Sequence, residues 1–510
     1  MKHPSFFLTR IAAALRAGGD RTAFRRDGVS TGYREAFAIL CRLHAALAVE
    51  GVGPGKIVAI VGGNRPETVL AQLAVQARGA GVLLISASSS LPDRLAALAT
   101  SAVTTLIVDP AHERAGTREL IDAVPSGRVL SLGPVPSWLP PRARDLLAGP
   151  AGTGFTFPAS VRAIFPSGGT TGTPKLIAHS GIYDGMAHIF TPDPSGPGRI
   201  LVVAPVTHMT GNAAVLGALL RGDTVVLHEG FEADAVLRDL TEERITALSL
   251  TPPRLAALLD RPGLAGTDLG HLRSLSLGAS PLPPSRLEQA LSVFGPIVGQ
   301  GYGLTEAPMI ASITAAETAG RLDSVGRIVP GMQARVVRED GSAAAAGEAG
   351  EVQVRGLAMM DGYHAQPALT RQAFDGDWLR TGDVGRFDAE GYLFLLDRLH
   401  DVIVTGDHGT KVYPAVVEHA LATHPRVAEA AVIGVPGPAG EGELVHAVVV
   451  ASGALDQAEL RAHALAHFGQ ELFVPERVDF VERLPLTPVG KVDKRALRAP
   501  HWAGHARDIA

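Results

Sequence analysis

The chain has 510 residues, more than one hydrophobic core usually organises, so two or three structural units are expected. Hydrophobic residues make up 46% of it, and a net charge of −5 without any run of five lysines or arginines excludes the electrostatic footprint of a nucleic-acid binder. The single cysteine, Cys41, excludes an intramolecular disulfide and reads as a small apolar residue in a helix.

The opening segment, MKHPSFFLTRIAAALRAGGDRTAF, is basic and partly apolar, but Arg10, Arg16 and Asp20 interrupt it before a secretory core develops. No stretch of about 18 uninterrupted apolar residues follows, so no membrane span is expected and the reading is of a cytoplasmic protein. Next, KIVAIVG, GVLLISA and TTLIVD read as strands alternating with the helices RPETVLAQLAVQARGA and PDRLAALATS, and RILVVAP and DTVVLHE continue the pattern. Such alternation implies parallel sheets covered by helices. From about Gly326 the texture changes to GRIVPGMQARVVRED, GEVQVRG and GYLFLLDR, which reads as an antiparallel β-rich subdomain over about 326–396. The stretch LDRLHD marks a junction, after which residues 397–510 read as a separate small α/β unit. The expected fold class is therefore α/β, with a large N-terminal domain over 1–396 and a C-terminal domain over 397–510.

Between two β-branched runs lies FPSGGTTGTPKLIAHS, Phe165 to Ser180. Backbone N–H groups of a Gly/Thr loop converge on phosphate oxygens, hydroxyls add neutral donors, and a lysine adds a point charge. The Walker pattern is absent, because Lys175 follows Pro174 and precedes Leu176. Taken alone, the segment is equally a plain turn joining two strands.

Six further pieces decide between those readings: APVTHMTG (204–211), GAS (278–280), GYGLTE (301–306), TGD (381–383), DRLHD (397–401) and PLTPVGKVDKRAL (485–497). In order and spacing the chain resembles the adenylate-forming superfamily of acyl- and aryl-CoA synthetases, adenylation domains and beetle luciferases, over nearly its whole length. The resemblance implies ATP-dependent activation of a small carboxylic acid as an acyl adenylate, with release of pyrophosphate and then transfer to a thiol. It implies a loop of Ser167, Gly168, Gly169, Thr170, Thr171, Gly172 and Lys175 around the β- and γ-phosphates, with Gly278, Ala279 and Tyr302 at the adenosine. Thr305 would lie near the α-phosphate and Glu306 would hold Mg2+, a hard cation that prefers oxygen. Asp383, aimed from a turn, would accept hydrogen bonds from the ribose hydroxyls, and Arg398 would contact ribose or phosphate.

Lys491 would bridge the substrate carboxylate and the α-phosphate, relieving their repulsion. Only six lysines occur in the chain, Lys2, Lys56, Lys175, Lys411, Lys491 and Lys494, and the resemblance puts two of them, Lys175 and Lys491, at phosphates. His208, Met209 and Gly303 would border the acyl pocket. In the family the small C-terminal domain is mobile and rotates about a hinge, here His400 where Asp or Lys is usual, to bring Gly406, Gly409 and Lys411 to a pantetheine tunnel. His400, His408 and His419 follow no zinc spacing.

Gly168 and Leu176 resemble the aryl-acid branch, whereas Met209 stands where that branch places an Asn against a ring 2-hydroxyl. The implied acid is aromatic or small and apolar, without an α-amine. Coenzyme A is the expected thiol, with a carrier-protein phosphopantetheine supplied in trans as the alternative. A repurposed enzyme passing an activated oxyanion, even nitrite, to an amine and a non-catalytic nucleotide binder remain further readings. Oligomeric state is not legible.

Overall fold

A computed structural model describes residues 3–86, 89–111, 116–124, 128–150, 152, 154, 157–167, 174–280, 282–318, 320–405, 410–437, 442–487 and 490–502. Two large sheets hold most of the N-terminal part. In the nine-stranded sheet the order is Arg327–Ile328, Ala311–Ile313, Val298–Tyr302, Ser274–Gly278, Ala247–Leu250, Arg199–Val202, Thr224–Leu227, Thr22–Arg26 and Val29–Gly32. Its middle runs parallel and its two edges antiparallel. The eight-stranded sheet runs Gly362–Tyr363, Lys175–His179, Arg162–Ser167, Gly81–Ser86, Ile57–Gly62, Thr105–Val108, Val129–Ser131 and Arg144–Asp145. The expected βα alternation is thus realised, with helices on the apolar faces.

The helix Pro66–Ala77 shows why the two sheets stay together. Nearly every residue of it is buried, so it is an all-round core helix instead of an amphipathic surface one. Leu70 and Leu73 are fully buried, each burial contributing about 2 kcal/mol. Its polar Gln72 is satisfied by a reciprocal amide pair with Asn212: Gln72 Nε2 donates to Oδ1 at 3.2 Å and Asn212 Nδ2 donates back to Oε1 at 2.6 Å. Cys41 lies buried in the helix Tyr33–Val49, as its composition suggested.

The β-rich part is an antiparallel sheet of Met332–Val337, Gly350–Gly356, Trp378–Phe387 and Phe374–Asp375, with Leu393–Arg398 paired to Trp378–Phe387. It is stitched into its neighbours more closely than its texture implied. Arg327–Ile328 closes the edge of the nine-stranded sheet, and Gly362–Tyr363 adds to the eight-stranded one. The strand Leu393–Arg398 also runs past the expected 396/397 junction.

Beyond it, Ile403–Thr405 pairs with Thr410–Val412, and Val427–Pro436, Glu443–Ala451 and Arg477–Phe480 form a three-stranded sheet. The helices Pro414–Ala422 and Gln457–Phe468 help bury a separate core that includes Ile403, Val417, Val432, Ala447 and Leu460. Among the described residues no helix is long and apolar enough to cross a membrane.

Gly326 stands where the nine-stranded sheet meets the β-rich sheet. Its φ is +95°, and a Cβ there would overlap the backbone carbonyl of Ser312. Both penalties fall on backbone, which cannot rotate away. Gly326→Ala should therefore cost about 3 kcal/mol or more, read as a lower midpoint in thermal or denaturant unfolding. An unchanged midpoint would contradict this reading.

Candidate active site

Asp383 is the centre of the site. The TGD motif lies inside the strand Trp378–Phe387 and not in a turn between strands, which corrects the sequence expectation. The left-handed Gly382, φ +68°, bends that strand and turns its carbonyl to Leu399 N at 2.7 Å. Thr381 Oγ1 donates to the Val352 carbonyl at 2.6 Å and accepts from Asp383 N at 3.0 Å, so the bend is braced from beneath.

The Asp383 carboxylate is 6% exposed. One of its oxygens accepts from the Tyr302 hydroxyl at 2.5 Å, and the other pairs with Arg398 Nε at 2.9 Å. Burial pushes its pKa up, and the Arg398 guanidinium opposes that push. Arg398 is fixed in turn by donating to the Thr381 carbonyl at 3.2 Å. Burial together with the neighbouring Asp383 raises the Tyr302 phenol well above its ordinary value, so it remains a donor.

Close packing of glycine shapes the adjacent floor. A Cβ at Gly278 would sit 2.8 Å from the Gly301 carbonyl, and one at Gly303 would overlap the Pro308 carbonyl. Ala279 adopts φ +76°, a strained value for a non-glycine residue. Two buried polar atoms here, Ser280 Oγ and Gln300 Nε2, have no hydrogen-bond partner among the described residues, the condition of groups awaiting a ligand.

Glu306 lies on the same rim. The Tyr363 hydroxyl donates to Glu306 Oε1 at 3.0 Å, and the Lys175 ammonium sits 5.5 Å above the Tyr363 ring. No cation within 4.0 Å pairs with Glu306 among the described residues, so its remaining carboxylate oxygen fits a hard divalent cation such as Mg2+. Thr305 is held through its carbonyl, which accepts from His179 Nε2 at 2.7 Å. His179 is fully buried, and burial lowers the pKa of its imidazole. Ser167 and Lys175 face each other across the antiparallel pair that brackets the Gly/Thr loop. Gly168, Gly169, Thr170, Thr171 and Gly172 lie outside the described residues. Leu176 is fully buried in the core under the sheet.

The lysine loop reaches this site from the far end of the chain. Thr487 N donates to the Lys491 carbonyl at 2.7 Å, and Lys491 N donates to Thr487 Oγ1 at 3.1 Å. Its tip is seated by two residues that the motifs did not reveal. Thr251 Oγ1 donates to the Gly490 carbonyl at 3.0 Å, while a Cβ on Gly490, φ +81°, would meet Arg254 Nε at 2.9 Å. Burial and the nearby Arg398 lower the Lys491 pKa, whereas Asp383 and Glu306 raise it. Those opposing charges act on the ammonium from the N-terminal part.

His208 stands at the N-cap position of the helix Met209–Arg221 without a side-chain capping bond, and its loop is pinned by amides. Asn64 Nδ2 donates to the Ala204 and His228 carbonyls at 2.9 and 2.7 Å, and Asn64 Oδ1 accepts from Val206 N at 2.8 Å. Asn212 Nδ2 adds a bond to the Val206 carbonyl at 3.0 Å. Gly211 is required because a Cβ would overlap the Pro205 carbonyl. Burial, Lys491 and Arg254 together lower the His208 pKa to about 4, and Met209 beside it is buried.

At the junction, His400 is half-buried and burial lowers its pKa. Its neighbours carry the ion pairs: Asp401 with Arg498 at 2.6 Å, and Glu418 with Lys494 at 2.8 Å. Asp397 accepts from Ala415 N at 2.8 Å. Lys411 pairs with Glu339 of the β-rich part. Gly406 and Gly409 lie outside the described residues.

His208 and His419 both titrate near 4 when folded, lowered chiefly by burial, and His44 does the same. A depressed histidine pKa means that the unfolded chain binds more protons between about pH 4 and 6.5, so stability falls as pH drops through that window. His208→Gln should take up about one proton fewer on unfolding at pH 5 than the parent chain. Potentiometric or calorimetric proton counting checks this, and equal uptake would contradict a buried neutral His208.

The AMP-binding enzyme family matches residues 11–364, and the AMP-binding enzyme C-terminal domain matches residues 416–491. The chain is 37% identical over 487 residues to a medium/long-chain-fatty-acid–CoA ligase of Mycobacterium tuberculosis, covering 90% of this chain and 84% of that one. The amide bond synthetase McbA of Marinactinospora thermotolerans superimposes with a TM-score of 0.86 at 36% identity, over 96% of this chain and 99% of that one. The o-succinylbenzoate coenzyme A synthetase of Bacillus subtilis, solved with ATP and magnesium ion, gives a TM-score of 0.80 at 27% identity, over 96% and 98%. The chain therefore belongs to the AMP-binding enzyme family, and it is an AMP-forming ligase that activates a carboxylic acid with ATP as an acyl adenylate.

Proposed function

We propose that the chain joins an aromatic or apolar carboxylic acid lacking an α-amine to the thiol of coenzyme A. The observation that carries this reading is the seating of the Lys491 loop of the C-terminal segment on the N-terminal part, where Thr251 Oγ1 donates to the Gly490 carbonyl at 3.0 Å and the lysine charge feels Arg398, Asp383 and Glu306. Such a set suits the approach of a carboxylate to a polyphosphate and the stabilisation of the charge that develops.

In the first step the acid carboxylate attacks the α-phosphorus of ATP, forming the mixed anhydride as the bond to the β-phosphate oxygen breaks and pyrophosphate leaves. No proton moves, so positioning and charge dominate. Lys491 neutralises the approaching anions, the Asp383–Arg398–Tyr302 cluster holds the ribose, and Thr305 lies toward the α-phosphate. Magnesium, held at Glu306, would neutralise charge on the phosphates. In the second step the thiol attacks the acyl carbon, losing its proton as AMP departs. Neutral His208 and buried Met209 give the acyl side an uncharged wall, and no acidic residue occurs in THMTGNAAVLG to hold an α-ammonium. The o-succinylbenzoate ligase in the comparison supports an aryl acid, and the fatty-acid ligase supports an apolar one. Coenzyme A is named as the acceptor of both, and rotation about His400 would admit it.

A second reading has a specific basis. The amide bond synthetase McbA matches over 99% of its own length, which favours an amine as acceptor in place of the thiol. Both readings share the first step.

Pyrophosphate exchange with a panel of benzoates, cinnamates and short fatty acids, followed by product formation with and without coenzyme A or an amine, tests the proposal. Exchange with aryl acids and thioester formation dependent on coenzyme A are expected; amide formation without coenzyme A would instead select the second reading. Lys491→Ala should lower adenylation by about 10² or more while sparing thioester formation from supplied acyl-AMP. Gly490→Ala, which disturbs the seat on Thr251 and Arg254, should lower the same step by about tenfold with the second again spared. Normal pyrophosphate release by the lysine variant would remove Lys491 from the mechanism.

A further inference from the structure

The C-terminal sheet carries a second cluster of chemistry-bearing side chains, away from the adenylation residues. In the strand Glu443–Ala451 the alternate residues Val445, Ala447 and Val449 face the core that includes Leu460 and Val478. His446 and Val448 point to the opposite face. There Val448 packs with Ala431 and Leu484, and Leu497 of the helix Lys494–Trp502 covers them. An imidazole is an unusual choice for so apolar a face.

His446 is 1% exposed. Its Nε2 lies 3.0 Å from Asp479 Oδ2, on the neighbouring strand, while its Nδ1 is buried with no hydrogen-bond partner among the described residues. From the helix above, the His501 ring sits 4.7 Å from the His446 ring, tilted by 51°. One donor atom from each of His446, Asp479 and His501 lies within 4.8 Å of the others. Two imidazoles in contact and a carboxylate, brought together from two strands and a helix, make little sense as packing alone, because a buried ring nitrogen without a partner is destabilising.

We propose that His446, Asp479 and His501 bind one divalent transition-metal ion of the zinc class, clamping the helix Lys494–Trp502 to the C-terminal sheet. Two imidazole nitrogens and one carboxylate oxygen form a borderline donor set that suits zinc or cobalt, and water completes the tetrahedron. Donors about 2 Å from a shared ion lie roughly 3.3 Å apart, so the three groups close by about 1.5 Å at most. Asp479 is 58% exposed and His501 partly exposed, which leaves both free to make that movement. The clamp would act beside existing ties, since Trp502 Nε1 donates to the Gly434 carbonyl at 3.0 Å and Arg498 pairs with Asp401 at 2.6 Å. The same helix begins three residues after Lys491, so the ion would stiffen the mount of the lysine loop.

Tag-free full-length protein, stripped by a chelator, is titrated with Co2+ as a spectroscopic probe and then with Zn2+ in competition. One equivalent of Co2+ should bind with visible d–d absorption of a nitrogen- and oxygen-ligated, four-coordinate site, and Zn2+ should displace it. His501→Ala and Asp479→Asn, both at partly exposed positions, should keep the metal-free melting midpoint but bind Co2+ at least about tenfold more weakly. Zinc should raise the midpoint of the parent chain and of neither variant. Absence of stoichiometric binding, or affinity in either variant equal to that of the parent chain, would reduce the cluster to a buried histidine–aspartate pair and overturn the proposal. Pyrophosphate exchange is not needed for any of these outcomes, so they stand apart from the adenylation reading.

Discussion

A carboxylate 6% exposed needs compensation, and at Asp383 it comes from Arg398 on one oxygen and Tyr302 on the other. The rest of the site hangs on that arrangement. Arg398 ends the strand Leu393–Arg398, which pairs with the strand carrying Asp383, so the ion pair also fixes where the chain leaves the β-rich sheet. Tyr302 ends a strand of the nine-stranded sheet. One buried charge thus ties together two sheets and the start of the C-terminal part. Removing Arg398 would leave a buried carboxylate without its countercharge, which is far costlier than never having had the pair.

The lysine loop is the second element of the same electrostatics. Lys491 is desolvated where it sits, and Arg398 repels it; Asp383 and Glu306 hold it there. An anionic polyphosphate and a carboxylate would add the attraction that the protein alone supplies only in part. Thr251 and Arg254 provide a seat at Gly490, so closure does not rest on long-range charge alone. Asp401–Arg498 and Glu418–Lys494 brace the start of the C-terminal part, close to His400.

Motifs with short sequence span are legible without the structure, because their chemistry is local. The two strands that flank the Gly/Thr segment, the parallel sheets and the antiparallel β-rich part follow from periodicity and punctuation, and the structure bears them out. Groups that act through distant partners are not legible. Thr251 meets Gly490 across 239 positions, Gln72 meets Asn212 across 140, and Tyr363 meets Glu306 across 57. Nothing in TPPRL or DGYHA marks those pairings, since a threonine or a tyrosine bonding another segment leaves no local pattern. The TGD motif misleads in a specific way: Gly382 suggests a turn, whereas its left-handed backbone bends a continuous strand.

The central claim is that the carboxylate itself attacks phosphorus, and isotope transfer tests it most directly. With an acid carrying 18O in its carboxylate and a limiting amount of ATP, the AMP released on transfer to the acceptor is analysed by mass spectrometry. Attack by the carboxylate predicts one labelled oxygen in AMP, carried across when the acyl–phosphate anhydride is cleaved at carbon. AMP without label, alongside labelled pyrophosphate or labelled inorganic phosphate, would contradict the account.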